Sequence, residues 1–182
     1  GPIAQAGAIE FVIAAGTGGK GTVWISDLRL EDRAFRATPV VRASSAQTGH
    51  APRNVVDHDP QTRWRSTVSA GPQWLRIDFL QEREYGGAII HWEPGRHAQA
   101  FNVQTSTDGT HWDTVYTARC AAGVRSYVYL PGTASLYFQL NLFQGHDPAG
   151  YGIIAIDIQT DDFSRSLNAF FQQLKIDRNR DR

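Results

Sequence analysis

Hydrophobic and polar positions alternate with a period of two through most of this chain, in short runs. Trp74-Leu75-Arg76-Ile77-Asp78-Phe79 is the clearest example. Successive side chains on a strand point to opposite faces of a sheet, so such alternation predicts a half-buried strand. Gly87–Trp92, Phe101–Ser106, Asp113–Ala118, Ser126–Leu130, Ser135–Asn141 and Ile153–Gln159 are similar runs, rich in aromatic and β-branched residues. Gly, Pro, Asn or Asp separates most of them, and no helical period intervenes, which favours a sandwich or small barrel over an α/β fold. Asp108-Gly109 closes one strand as a tight turn, with Asp108 bonding local backbone and Gly109 at positive φ. Pro131-Gly132 reads as a second turn, between Tyr127–Leu130 and Leu136–Leu140.

The period changes after Asp161-Asp162. Phe163, Leu167, Phe170, Phe171 and Leu174 recur at helical spacing and form one apolar stripe, with Asp162 or Ser164 as the N-cap. The stripe predicts a carboxy-terminal amphipathic helix, and its polar face is not markedly cationic, which argues against a membrane-surface helix. At the other end, Ile9–Ile13 and Thr22–Leu30 flank a glycine-rich AAGTGGKG segment and read as a β-hairpin. An isolated hairpin is marginal in water, so it is read as the last hairpin of an upstream β domain. The predicted organisation is residues 1–37 as hairpin and linker, 38–160 as an all-β domain, and 161–182 as helix and charged tail.

Composition narrows the picture. Hydrophobic content of 41% and charged content of 20% belong to a globular chain. Eighteen basic and eighteen acidic residues cancel, so no overall field favours nucleic acid or an anionic membrane. A single cysteine, Cys120, excludes an intrachain disulfide and reads as a small buried residue. No apolar run approaches the roughly 18 residues that span a bilayer. The absence of methionine suggests an internal piece of a longer polypeptide.

The candidate chemistry lies in loops. Asn54-Val55-Val56-Asp57-His58-Asp59, followed by Thr62, is rich in hard oxygen donors of the kind Ca²⁺ takes. The alternative is that Asp57 caps one turn and Asp59-Pro60 starts another, with no ion. Three other loops suit a sugar, which needs an apolar face and a few polar groups. One carries His50, the second Glu93, Arg96 and His97, and the third Phe143, His146 and Tyr151. The planar fork of Arg96 suits a hydroxyl pair or a carboxylate, and Phe143 or Tyr151 offers a stacking face. No acidic pair in these loops stands out for glycoside hydrolysis, and no Gly-x-Ser-x-Gly elbow occurs. An enzyme is therefore not expected.

Three separated signatures now carry a resemblance. They are the Asn54–Trp64 loop, the Trp74–Phe79 strand and the Ser106–Trp112 turn, followed by LYFQLNLF and GYGIIAIDI. In this order they resemble the discoidin, or coagulation factor V/VIII type C, domain, which overlaps with galactose-binding-like carbohydrate-binding modules. The resemblance covers about residues 42–160 and implies a jelly-roll-like β-sandwich of about eight strands. It places Trp64, Trp74 and Trp112 where the family buries aromatics. It also implies a structural Ca²⁺ held near Asn54 by Asp57, Asp59 and Thr62. The family's usual glutamate on the last strand falls at Ala155, with Asp157 or the Ala155 carbonyl as substitutes. His58 stands where the family often has glycine.

The function implied is a non-catalytic module that holds a neighbouring glycoside-processing domain on glycans. The ligand would be a galactose-, N-acetylgalactosamine- or uronate-containing glycan, in a secreted, cell-surface or periplasmic bacterial protein. A ligand-free structural spacer packing against flanking domains and an adhesion module for protein or lipid are the alternatives.

Overall fold

The computed structural model describes residues 22, 24–26 and 38–180, other than 69–71, 120, 122 and 146–149. The chain divides into two compact units, Gly1–Arg36 and Ala37–Arg182. The amino-terminal hairpin, Cys120 and His146 lie outside the described residues, so the readings made for them stay with the sequence.

Among the described residues, seven strands build the second unit. They are β1 (Val40–Ala43), β2 (Trp64–Arg65), β3 (Gln73–Trp92), β4 (Ala98–Ser106), β5 (Asp113–Ala118), β6 (Arg125–Gly145) and β7 (Gly152–Gln159). All pairings are antiparallel, in the order β2-β7-β3-β6-β4-β5, with β1 also on β3.

Two strands, β3 and β6, each join two of the runs that the alternation predicts, and they make the sandwich. The first part of β3 pairs with β1 and with the last part of β6, whereas its second part pairs with β7 and the first part of β6. Each strand therefore runs through both layers. The ladder shifts register between Asp78 and Arg83 and again between Tyr85 and Gly87. Bulges of this kind bend a strand out of one sheet and into another. Leu80 takes φ 64° there, and its N–H is bound by Asp78 Oδ1 at 2.8 Å. The Pro131-Gly132 pair is not a hairpin turn as expected. It lies inside β6, opposite the second shift, where proline at an irregularity loses no needed ladder bond.

The core sits between the layers and follows the alternation: Leu75, Ile77, Phe79, Phe101, Val103, Phe138, Leu140 and Leu142 come from one layer and Ile90, Trp92, Val128 and Ile156 from the other, all buried. Trp64 is fully buried as expected, but Trp74 and Trp112 are half-buried. They flank the Arg76 guanidinium, which sits 5.3 Å from the Trp74 ring and 4.4 Å from the Trp112 ring. Trp74 alternates out of phase with Leu75, so it falls on the outer face, where a cation covers it. The Ser106–Trp112 turn is as read, with Asp108 Oδ1 accepting from the Thr110 and His111 amides and Gly109 at φ 75°.

A 3₁₀ turn over Asp161–Ser164 precedes α1 (Leu167–Arg180). The helix begins later than the stripe implies. Ser166 caps it, its Oγ accepting from the Ala169 amide at 3.1 Å. Phe163, in the turn, and Phe170, in the helix, pack with Ile89, Tyr127, Tyr129 and Leu174 on the outer face of the β7–β3–β6 layer. Leu167 and Phe171 are exposed. Gly87 admits Phe163: a Cβ there would meet the ring at 2.7 Å and would also strike the Val128 carbonyl.

Candidate functional site

Residues 44–63, 93–97, 123–124 and 150–151 gather at one end of the sandwich, where β3 ends and β4, β6 and β7 begin. Backbone bonds knit them. Glu93 N–H donates to Gly152 O at 2.9 Å, Gly152 N–H to Arg96 O at 3.0 Å, and Trp92 N–H to Val124 O at 2.8 Å.

The electrostatic centre of this end is Glu93, which is buried. Arg65 grips it with Nε on Oε2 at 2.8 Å and Nη2 on Oε1. Arg63 Nη1 donates to Oε1 at 3.4 Å, and Arg96 Nε lies 3.8 Å from Oε2. The Arg65 bonds hold the Glu93 carboxyl below the ordinary range against the opposing effect of burial, and the same bonds raise Arg65. Arg65 Nη1 reaches His50 Nε2 at 3.2 Å. Three guanidinium groups thus surround one carboxylate, and an imidazole joins their edge.

This brings together four residues chosen from the sequence: His50, Glu93, Arg96 and, beside Gly152, Tyr151. Tyr151 is buried, its amide held by Ser66 Oγ at 2.9 Å, and it offers no open ring face. Phe143 is 50% exposed near the end of β6. His97 precedes β4 and is half-buried. Arg63 and Arg65 were missed. The signal for them was present: they flank buried Trp64 at i−1 and i+1, so both point away from the core.

The Asn54–Thr62 loop is closed by its own bonds. Asp57 Oδ1 accepts from the Asp59 amide at 2.9 Å and Oδ2 from Thr62 Oγ1 at 2.8 Å, while Asp59 Oδ1 accepts from the Gln61 amide at 2.8 Å. Asn54 Nδ2 donates to Arg63 O at 3.0 Å. His58 adopts φ 60°, a left-handed conformation that glycine takes more cheaply. Ala155 brings no carboxylate, and Asp157 is engaged by His91 Nε2 at 2.8 Å. Among the described residues no group of three or more His, Cys, Asp or Glu is placed to hold a metal. Of the expected calcium donors, the loop brings Asp57, Asp59 and Thr62 together, and the last strand adds no free carboxylate at Ala155.

Beside that loop lies a pocket of about 450 Å³. Its floor is the outer face of β7–β3–β6, where His91 pairs with Arg125 on one side and Ala155 on the other. Arg125 Nε donates to His91 Nδ1 at 3.3 Å, which leaves the ring proton on Nε2, facing Asp157. The His91 bond holds Asp157 below the usual carboxylate range despite its partial burial. His58, Asp59, Pro60, Pro94 and Val124 contribute the walls.

Residues 40–156 match the F5/8 type C domain. No curated protein matches the chain in sequence. Among solved structures, the chain is similar to chitosan-binding module 2 of a chitosanase/glucanase from Paenibacillus sp. IK-5, in complex with chitotriose. The identity is 24%, the TM-score 0.64, and the match covers 67% of this chain and 96% of that one. It is also similar to a pectin-binding carbohydrate-binding module, at 23% identity and TM-score 0.55, covering 66% and 89%. A family-32 module from Clostridium perfringens in complex with GalNAc-β-1,3-galactose matches at 13% identity and TM-score 0.60, covering 68% and 96%. At these identities the likeness shows the shared β-sandwich.

Proposed function

This chain belongs to the F5/8 type C domain family, and on that premise we propose that it is a non-catalytic carbohydrate-binding module. The observation that carries the reading is the cluster of Arg63, Arg65 and Arg96 on buried Glu93, joined by His50. Glu93 and Arg65 spend their polar groups on each other and hold the loops in register. His50 and Arg96 stand at the edge of the cluster and meet the sugar, with exposed Phe143 as the apolar face. A fork of guanidinium donors in excess over carboxylate suits a uronate or a hydroxyl pair. Neighbours of the same fold bind glycans, by their own descriptions, which supports the class of ligand.

The module works by tethering. Held on a polymer, it raises the effective concentration of a neighbouring glycoside-processing domain, and weak affinity is enough. This role belongs to a secreted or cell-surface protein. A spacer is the second reading, favoured by the burial of a sheet face under Phe163 and Phe170. Calorimetry against galactose-, N-acetylgalactosamine- and galacturonate-containing oligosaccharides separates the two. Binding to at least one, lost in His50→Ala/Arg96→Ala with an unchanged melting temperature, is the expected result. No binding to any of them leaves the spacer.

A further inference from the structure

The pocket over His91 is chemically unlike the arginine cluster. Its walls are largely apolar, from Pro60, Pro94, Val124 and Ile154, and its polar groups are His58, Asp59, His91, Arg125 and Asp157. Asp59 uses Oδ1 on the Gln61 amide, and Oδ2 has no hydrogen bond among the described residues. Asp157 gives Oδ2 to His91 Nε2, whose other ring nitrogen meets the Arg125 guanidinium. Two carboxylates therefore share the pocket with one permanent cation, the Arg125 guanidinium, which is turned onto His91; His58 is a further basic group of the lining and acts on Asp157. The permanent charge of this lining, two carboxylates to one guanidinium, is therefore negative, whereas at Glu93 it is positive. The volume lies within the range of small-molecule sites.

We propose that this pocket is a second ligand site, separate from the His50–Arg96 site, and that it takes a cationic amino sugar. The pyranose ring lies against Pro60, Pro94 and Ile154, and its ammonium group pairs with Asp59 on the rim and Asp157 on the floor. His58, at the rim on its left-handed backbone, donates to or accepts from a ring hydroxyl. The glycan-binding reading supplies the sugar class; the charge and shape of this pocket supply the selectivity. Two sites of opposite charge allow one module to hold two different chains, or two stretches of a mixed polymer.

The test uses the whole chain and two probes of the same backbone, chitotriose and its fully N-acetylated form, at a pH where the free amines are protonated. Calorimetry should show chitotriose binding at least about fivefold tighter, the size expected for a partly exposed ion pair, with the preference shrinking as salt is added. Asp59→Asn keeps the Gln61 bond and removes the charge, so it should erase most of the preference; Asp157→Asn should do the same. NMR shifts on chitotriose addition should map to His58, His91 and Ala155. Equal binding of both probes, a preference that survives both substitutions, or shifts at His50 and Arg96 instead would overturn the proposal. Uronate binding that persists without chitotriose binding would sink the pocket alone. Loss of both ligands in the unmodified chain would sink the glycan-binding reading with it.

Discussion

Arg65 straddles the buried Glu93 carboxylate, Nε on one oxygen and Nη2 on the other. That pair ties the loop after β3 to β2, two segments 28 residues apart in sequence. A buried carboxylate held this way is costly to disturb, because removing it leaves guanidinium groups without their counter-charge.

Glu93→Ala should therefore lower stability by about 2–3 kcal/mol, discounted from a fully buried pair because the arginines are partly exposed. The pH dependence follows from the lowered carboxyl. The folded state holds its proton less tightly than the unfolded chain, so this contribution is full above the ordinary carboxyl value of 4.5 and is lost as pH falls through the lower folded value. Urea titrations from neutral pH to about pH 2 should show a steeper acid loss in the native chain than in Glu93→Gln. Parallel curves would show that the pair contributes nothing.

Gly152 stands where a Cβ would strike the Glu93 carboxylate and approach Arg96 Cβ at 3.2 Å. Gly152→Ala should cost about 1–3 kcal/mol by overpacking, and it should weaken glycan binding beyond what the stability loss explains, since it displaces Arg96. Thermal melting and calorimetry on one preparation check both.

Phe170 joins Tyr129 and Phe163 edge to face, at 5.1 and 5.2 Å between ring centroids. Phe170→Ala should cost about 3 kcal/mol and expose the amides of α1 to hydrogen exchange before the sheet opens. Exposed Phe171→Ala, one residue on, should change stability by less than about 0.5 kcal/mol.

His111 Nδ1 lies 2.6 Å from Asp108 Oδ2. The bond and charge of Asp108 raise the His111 pKa, and the His111 bonds hold Asp108 well below the carboxylate range. An NMR titration should place the His111 midpoint above 6.5 and return it to about that value in Asp108→Ala. The sign is that of a raised base: what the pair adds to the turn is present below the unfolded value and fades as pH rises through the folded one.

The Asn54–Thr62 loop should stand without calcium, because Asp57 spends both oxygens on Asp59 and Thr62 within the loop. Melting temperature should be the same in millimolar calcium and in chelator. A rise of several degrees with calcium would show that an ion displaces those bonds.

How far the sequence reads depends on whether a signal is local. The strands were legible because alternation is local, and so was the Asp108-Gly109 turn, since both its bonds lie within three residues. The passage of β3 and β6 through both layers was not, because Pro131-Gly132 carries the same local signal in a turn and in a bulge. Only the partner strand distinguishes them. Trp74 and Trp112 were read by residue type, whereas phase and the distant Arg76 decided their place. In the site, His50 and Arg96 drew attention as loop residues with useful chemistry. Arg65, which reaches His50 and shares the Glu93 carboxylate with Arg96, sits on a strand and meets Glu93 only through the β2–β7 pairing.

The sequence by itself determined the all-β class, the family and the alternating core, since each rests on spacing along one segment. The tertiary structure alone decided the rest. It turned Glu93 from a solvent-facing candidate into a buried anchor for three arginines, and it assembled a pocket from His58, His91, Arg125 and Asp157. Charge and shape at a site are sums over residues brought close by folding, and no single stretch of chain contains them.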